Sequence, residues 1–172
     1  SGGPPDLLIN LKGEGLLGAL PTELVDGAIA YGQNDLESAA KRLVALPWDA
    51  LEPVLAAQAA MALGQILQID DPAGAAAHLD RARLLAPGTL LEEAALRLEA
   101  LLVDGLGEHE RADRLVRRYF SAYAQSAYAA NFEARFVAMI TARGREDPDM
   151  AMAAMADAVA SLTPERRRTL FL

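Results

Sequence analysis

His78 and His109 are the only histidines among 172 residues, and the chain has no cysteine. Asp113 lies one helical turn after His109, which would put two metal ligands on one helix face, but no third ligand follows nearby. His78 has neither a histidine nor a carboxylate four residues to either side. Both read as surface histidines, and no metal site is expected. No serine stands in a G-x-S-x-G elbow and no glycine loop resembles a phosphate cradle. The pairs Glu92-Glu93 and Asp70-Asp71 fall at helix starts, where the macrodipole favours carboxylates. The sequence thus offers no catalytic constellation and no cofactor site. An enzyme reading would need a pocket with convergent polar groups.

Charge narrows the partners. The formal net charge is −8, a field that repels a phosphate backbone, so nucleic acid is not an expected partner. Only Lys12 and Lys41 of the basic residues are lysines. Arg111, Arg114, Arg117 and Arg118 gather on one segment beside Glu108, Glu110 and Asp113, as a solvated helix face would. No uninterrupted apolar run reaches the ~18 residues of a membrane span, so membrane insertion is not expected.

The elements that must carry these residues show in the alanines. Ala39, Ala75, Ala112 and Ala151 recur at spacings of 36, 37 and 39 residues. Four residues after each stands a larger apolar side chain: Leu43, Leu79, Val116, Met155. Seven after each stands another apolar position: Leu46, Ala82, Tyr119, Ala158. Such a stripe belongs to a helix packed closely on a partner. Repeated every ~35–40 residues, it predicts an all-α, α-α solenoid of about four tetratricopeptide-like helical hairpins.

Turn signals divide the chain. Residues 1–20 read as a loose lead-in, one or two turns broken by Gly13, Gly15 and Gly18, or as the remnant of an earlier hairpin. Residues 21–172 form the repeat domain, with helix pairs over 21–32 and 36–46, 53–69 and 72–86, 90–104 and 108–124, and 126–143 and 148–162. Asp71-Pro72 and Asp147-Pro148 each place a capping acceptor before a proline at the first helical position. Thr89 and Glu92 match a capping box, and Gly144 is the expected C-terminal stop of its helix. A final short helix from Thr163, carrying Arg166, Arg167 and Arg168, reads as a solubilising cap.

In stacked hairpins the first helices line the inner wall. Counting from the alanines, the wall should hold Leu24, Val25, Ala28 and Tyr31, then Ala60, Met61, Gly64 and Leu67. Arg97, Leu98 and Leu101 follow, and Phe136, Val137 and Ile140 close the series. The candidate partner-binding residues are Leu24, Ala28, Tyr31, Met61, Leu67, Arg97, Leu101, Asn131, Arg135 and Ile140. Two readings of this apolar wall stand. Its side chains pack on one another, or they form a groove for an amphipathic helix or apolar segment.

Two stretches are more specific than the repeat: the run from Leu79 to Arg97 (LDRARLLAPGTLLEEAALR) and the run from Arg117 to Phe136 (RRYFSAYAQSAYAANFEARF). Together they resemble the MotC family of periplasmic flagellar motility proteins from alphaproteobacteria. That resemblance implies an exported, non-enzymatic motility protein, located in the periplasm, that engages the periplasmic part of the flagellar stator subunit MotB. It also implies that a signal peptide and an N-terminal segment belong to the longer protein. Tyr128, Asn131, Phe132, Arg135 and Phe136 form the most distinctive cluster; Phe132 and Phe136 read as core, while Asn131 and Arg135 read as a partner contact or a local pair. The alternative is a generic tetratricopeptide-like adaptor in envelope assembly or regulation, unrelated to the motor.

Overall fold

The computed structural model describes residues 3–160. Among these residues nine α-helices form and no strand does, giving the all-α class read from the composition. The chain divides into two compact units, residues 1–86 and 87–172. Each is built, as the expected solenoid requires, from helices paired through short turns. The helix expected from Thr163, with Arg166 to Arg168, lies outside the described residues.

The first unit holds α1 (Pro4–Gly13), α2 (Thr22–Gly32), α3 (Leu36–Val44), a 3-10 turn at Trp48–Ala50, α4 (Pro53–Ile66) and α5 (Pro72–Leu85). Two hairpins, α2–α3 and α4–α5, follow the expected pairing. Asn34 makes the first turn in the left-handed region (φ 61°), which asparagine tolerates better than most side chains. Asp35 and Asp71 then cap α3 and α5, accepting the Ser38 and Gly74 amide hydrogens at 3.1 and 2.9 Å. Helix α4 stops at Ile66, one turn short of the expected Ile69.

Alanine and glycine let these helices approach closely. Ala39, Ala57, Ala60 and Ala75 are fully buried. Gly27 on α2 receives Leu43 of α3, and Gly64 on α4 receives Leu79 of α5. The leucines are the large members of the repeat stripe, so each hairpin of this unit fits a bulky side chain into a notch left by glycine. The expected lead-in is more ordered than its glycines imply. Helix α1 packs on α2, with the Pro5 ring against Gly32 and Lys12 bonded to Asp26.

The second unit holds α6 (Leu90–Gly105), α7 (His109–Tyr123), α8 (Ala129–Glu146) and α9 (Pro148–Ala160). Its core is aromatic. Tyr119 and Phe132 meet at a tilt with ring centroids 4.2 Å apart, and Phe120 meets Phe136 edge-on at 5.6 Å. Helix α8 continues through Gly144, which therefore is not the stop the sequence implied. That residue does not take the left-handed conformation of a glycine cap, and it faces the Ala151 methyl of α9 instead. On α9 the buried row is Ala151, Ala154 and Ala158, while Met155 is only half-buried.

Candidate functional site

An apolar cavity of about 380 Å³ opens within the first unit. Helix α2 contributes Leu24, Val25, Ala28 and Tyr31, all on one helix face. Helix α4 contributes Leu55, Gln58, Ala59 and Ala62 at the same periodicity. Leu8 of α1, together with Leu17 and Leu20 from the following loop, closes one side, and Leu43 of α3 forms part of the floor. Leu24 and Leu55 line the same space, and the Tyr31 hydroxyl donates to Gln65 Oε1 at 2.8 Å. Helices α2 and α4 therefore run side by side in one direction. A second hollow adjoins through Leu17, Leu20 and Val25, and a third, lined also by Leu36 and Ile66, through Tyr31. The result is a groove along α2 and α4, apolar at its centre and edged by amides and a phenol.

This arrangement collects four of the residues expected at the inner wall, Leu24, Val25, Ala28 and Tyr31, three of them candidate partner-binding residues. Tyr31 is 39% exposed at the rim. On α4 the expected register is displaced by one residue. Met61 is packed inside (7% exposed) and Gly64 faces Leu79, while Ala59, Ala62 and Ile66 take the groove side. Counting from the alanine of the following helix did not fix which side of α4 faces its own hairpin partner. The spacing Leu55, Ala59, Ala62, Ile66 was the available signal. Leu67 is half-buried against the cluster of Leu43, Leu46 and Leu63. Leu8, Leu17 and Leu20 were missed because glycines nearby mark a loop, though three leucines in a glycine-rich segment are themselves a packing signal.

The other candidates lie in the second unit. Arg97 stacks its guanidinium over the Tyr128 ring at 4.5 Å, with its Nε buried and without a hydrogen-bond partner. Leu101 is half-buried, whereas Ile140 is 7% exposed and belongs to the interior. Asn131 and Arg135 are both exposed on α8. Phe132 and Phe136 are core, as their spacing implied.

Electrostatics concentrates in this unit and ties helices together. Glu92, Glu93 and Glu99 on α6 are buried, which helix-start charges on a solvated surface would not be. Tyr119 donates to Glu93 at 3.0 Å, and Tyr123 donates to Glu92 at 2.7 Å. Burial and these carboxylates raise both phenols, Tyr123 to about 12 and Tyr119 further. Burial pushes Glu92 up, but the Gly88 amide, the Tyr123 hydroxyl and Arg118 outweigh it and hold the carboxyl below its ordinary value. The arginines of α7 are correspondingly more than a solvated face. Arg111 bonds buried Glu99 at 2.8 Å as well as Glu108, Arg118 bonds Glu92, and Arg117 reaches Asp157 of α9. Arg143 of α8 bonds Asp104 at 2.6 Å and Asp113 at 2.8 Å, joining three helices.

Each histidine has a neighbour within its own unit. His109 Nδ1 lies 2.8 Å from Asp104, and Asp113 is taken by Arg143. His78 packs on Trp48, where burial and then Arg81 lower its pKa. Among the described residues no group of three or more His, Asp or Glu side chains could hold a metal ion. No helix among them is long and apolar enough to cross a membrane.

Comparison with known proteins supplies the family. The profile described as "MotC: Chemotaxis protein MotC" matches residues 1–172. The chain belongs to the MotC family. A chemotaxis protein MotC of Rhizobium meliloti (strain 1021) is 39% identical over 87 residues. Those residues make up 51% of this chain and 20% of that relative, so the match spans a fifth of the relative's length. No solved structure matches the chain. Membership in MotC connects the helical hairpins described above with motility and chemotaxis.

Proposed function

We propose that this chain is a periplasmic protein-binding module of flagellar motility, acting through contact with the periplasmic part of the stator subunit MotB. The observation that carries the reading is the apolar cavity between α2 and α4, lined by Leu24, Ala28 and Tyr31. Such a hollow suits apolar anchor side chains of a protein partner. The polar groups that line it or bond its rim, Gln58, the Tyr31 hydroxyl and Gln65, can position a partner. Membership in the MotC family points to the motor as the setting, and the stator is the motor part named by the sequence resemblance.

Calorimetric titration of the chain with the periplasmic domain of the cognate stator subunit tests this. Saturable binding is expected, and it should be lost in Ala28→Phe, which fills the cavity from α2. Circular dichroism checks that the variant keeps its helices. A folded wild-type chain that gives no binding heat at any temperature tried would refute the stator assignment. Belief would then pass to an adaptor role unrelated to the motor.

A further inference from the structure

We propose that the α2–α4 groove takes a short amphipathic helix whose basic residues lie at the end formed by the N-termini of α2 and α4. The inference rests on the groove being the binding site and adds the chemistry of its occupant.

Three observations on the first unit lead to it. The first is shape. From Leu55 to Ile66 the α4 face of the groove spans eleven residue steps, about 17 Å at 1.5 Å per residue, or three helical turns. The cavity admits several apolar side chains, while the backbone bearing them must lie along its mouth. Anchors repeating at every third and fourth residue of a helix fit such a seat. The second is polarity. At the far end the groove closes on Tyr31, Asn34 and Gln65, which are uncharged.

The third is charge. Residues 1–86 carry five Lys and Arg against eleven Asp and Glu, so this unit holds most of the chain's net negative charge. Exposed Glu14 stands in the loop beside Gly15 and Leu17, which wall the near end. Exposed Glu52 is the N-cap of α4, one turn before Leu55. Exposed Glu23 lies in the first turn of α2, where part of its charge already complements that helix's own dipole. No ion pair engages these three carboxylates among the described residues. Lys12, which also lines the near-end hollow, and Arg42 both bond Asp26. Asp26 is two residues from Leu24 and from Ala28, which puts it on the side of α2 turned away from the groove face. An occupant with Lys or Arg at the near end meets complementary charge, and one with Glu or Asp there meets repulsion.

The test uses the whole chain and two fluorescent peptides of about 14 residues, long enough to span the groove. Both carry the same leucine stripe at helical spacing; one has lysines at one end, the other glutamates at those positions. Fluorescence anisotropy should show the basic peptide binding about tenfold more tightly at low salt, the effect expected of a few exposed charge contacts. Glu14→Gln together with Glu52→Gln should erase that preference without altering the melt, and added salt should shrink it. Equal affinities, tighter binding of the acidic peptide, or no saturation by either peptide with the chain folded would overturn the inference. If the stator domain binds but the peptides show no basic preference, the functional reading stands and this one falls. A basic preference without stator binding keeps the groove chemistry and removes MotB as its partner.

Discussion

Replacing Gly64 with alanine adds one methyl group at the closest approach of α4 and α5. In an open helix interior that change stabilises a protein, by about 0.5–1 kcal/mol. Here the new carbon would lie 2.6 Å from Leu79 Cγ, 2.7 Å from its Cδ2 and 3.3 Å from the Ala75 carbonyl oxygen. Leu79 is fully buried, so moving it means displacing packed neighbours. Overpacking of this kind costs about 1–3 kcal/mol, which exceeds the gain in helix propensity. The expected net loss is about 1–2 kcal/mol, a fall in Tm of roughly 2–8 °C for a chain of this size. Thermal melts followed by circular dichroism would measure it. Gly105→Ala serves as the control, because nothing lies within 4 Å of the added carbon there. Combining Gly64→Ala with Leu79→Ala should cost less than the two changes summed, since the second makes room for the first. If Gly64→Ala raised the Tm as an exposed glycine replacement does, close helix approach would not be what this glycine provides.

Further expectations concern the ionic groups of the second unit. Arg143→Met leaves Asp104 and Asp113 facing each other's charge without their shared cation, and should cost about 3 kcal/mol in urea unfolding. The raised phenols of Tyr119 and Tyr123 give stability that is complete below the unfolded value near 10. For Tyr123 it is lost as the pH climbs from about 10 to about 12, and Tyr123→Phe should flatten that part of the profile. Glu92 behaves oppositely. Its depressed carboxyl contributes stability above the unfolded value near 4.3 that disappears as acid protonates the folded form, a loss that Glu92→Gln should remove from the acid limb of the urea midpoint.

The hairpins were legible because their signals are local. Alanines at fixed spacing, Asp-Pro caps and helix-period apolar rows need only neighbours within one or two turns to be read, and Ala39, Ala75, Ala112 and Ala151 are all buried. The groove was half legible. Leu24, Ala28 and Tyr31 share a face that α2 alone defines, whereas the α4 side depends on which of two apolar faces meets α5. Helix α4 is apolar nearly all round, so periodicity could not choose, and Gly64 was read as wall when it is the notch for Leu79. The buried carboxylates were not legible at all. Glu93 pairs with Tyr119 and Glu99 with Arg111 across distances of 26 and 12 residues, and nothing in a single helix distinguishes such a glutamate from a solvated one.

A core lined by alanine and glycine can change in only one direction. Most interiors drift by exchanging Leu, Ile, Met and Val at nearly constant volume, and stability survives. Ala57, Ala60, Ala75 and Ala82 have no such currency, since every apolar replacement except glycine is an enlargement and glycine loosens the helix. Variation is therefore pushed to the faces that touch no neighbour, where an interaction surface can be rewritten while the hairpin beneath it stays fixed. The repeat remains visible in its alanines for the same reason that its groove is free to diverge.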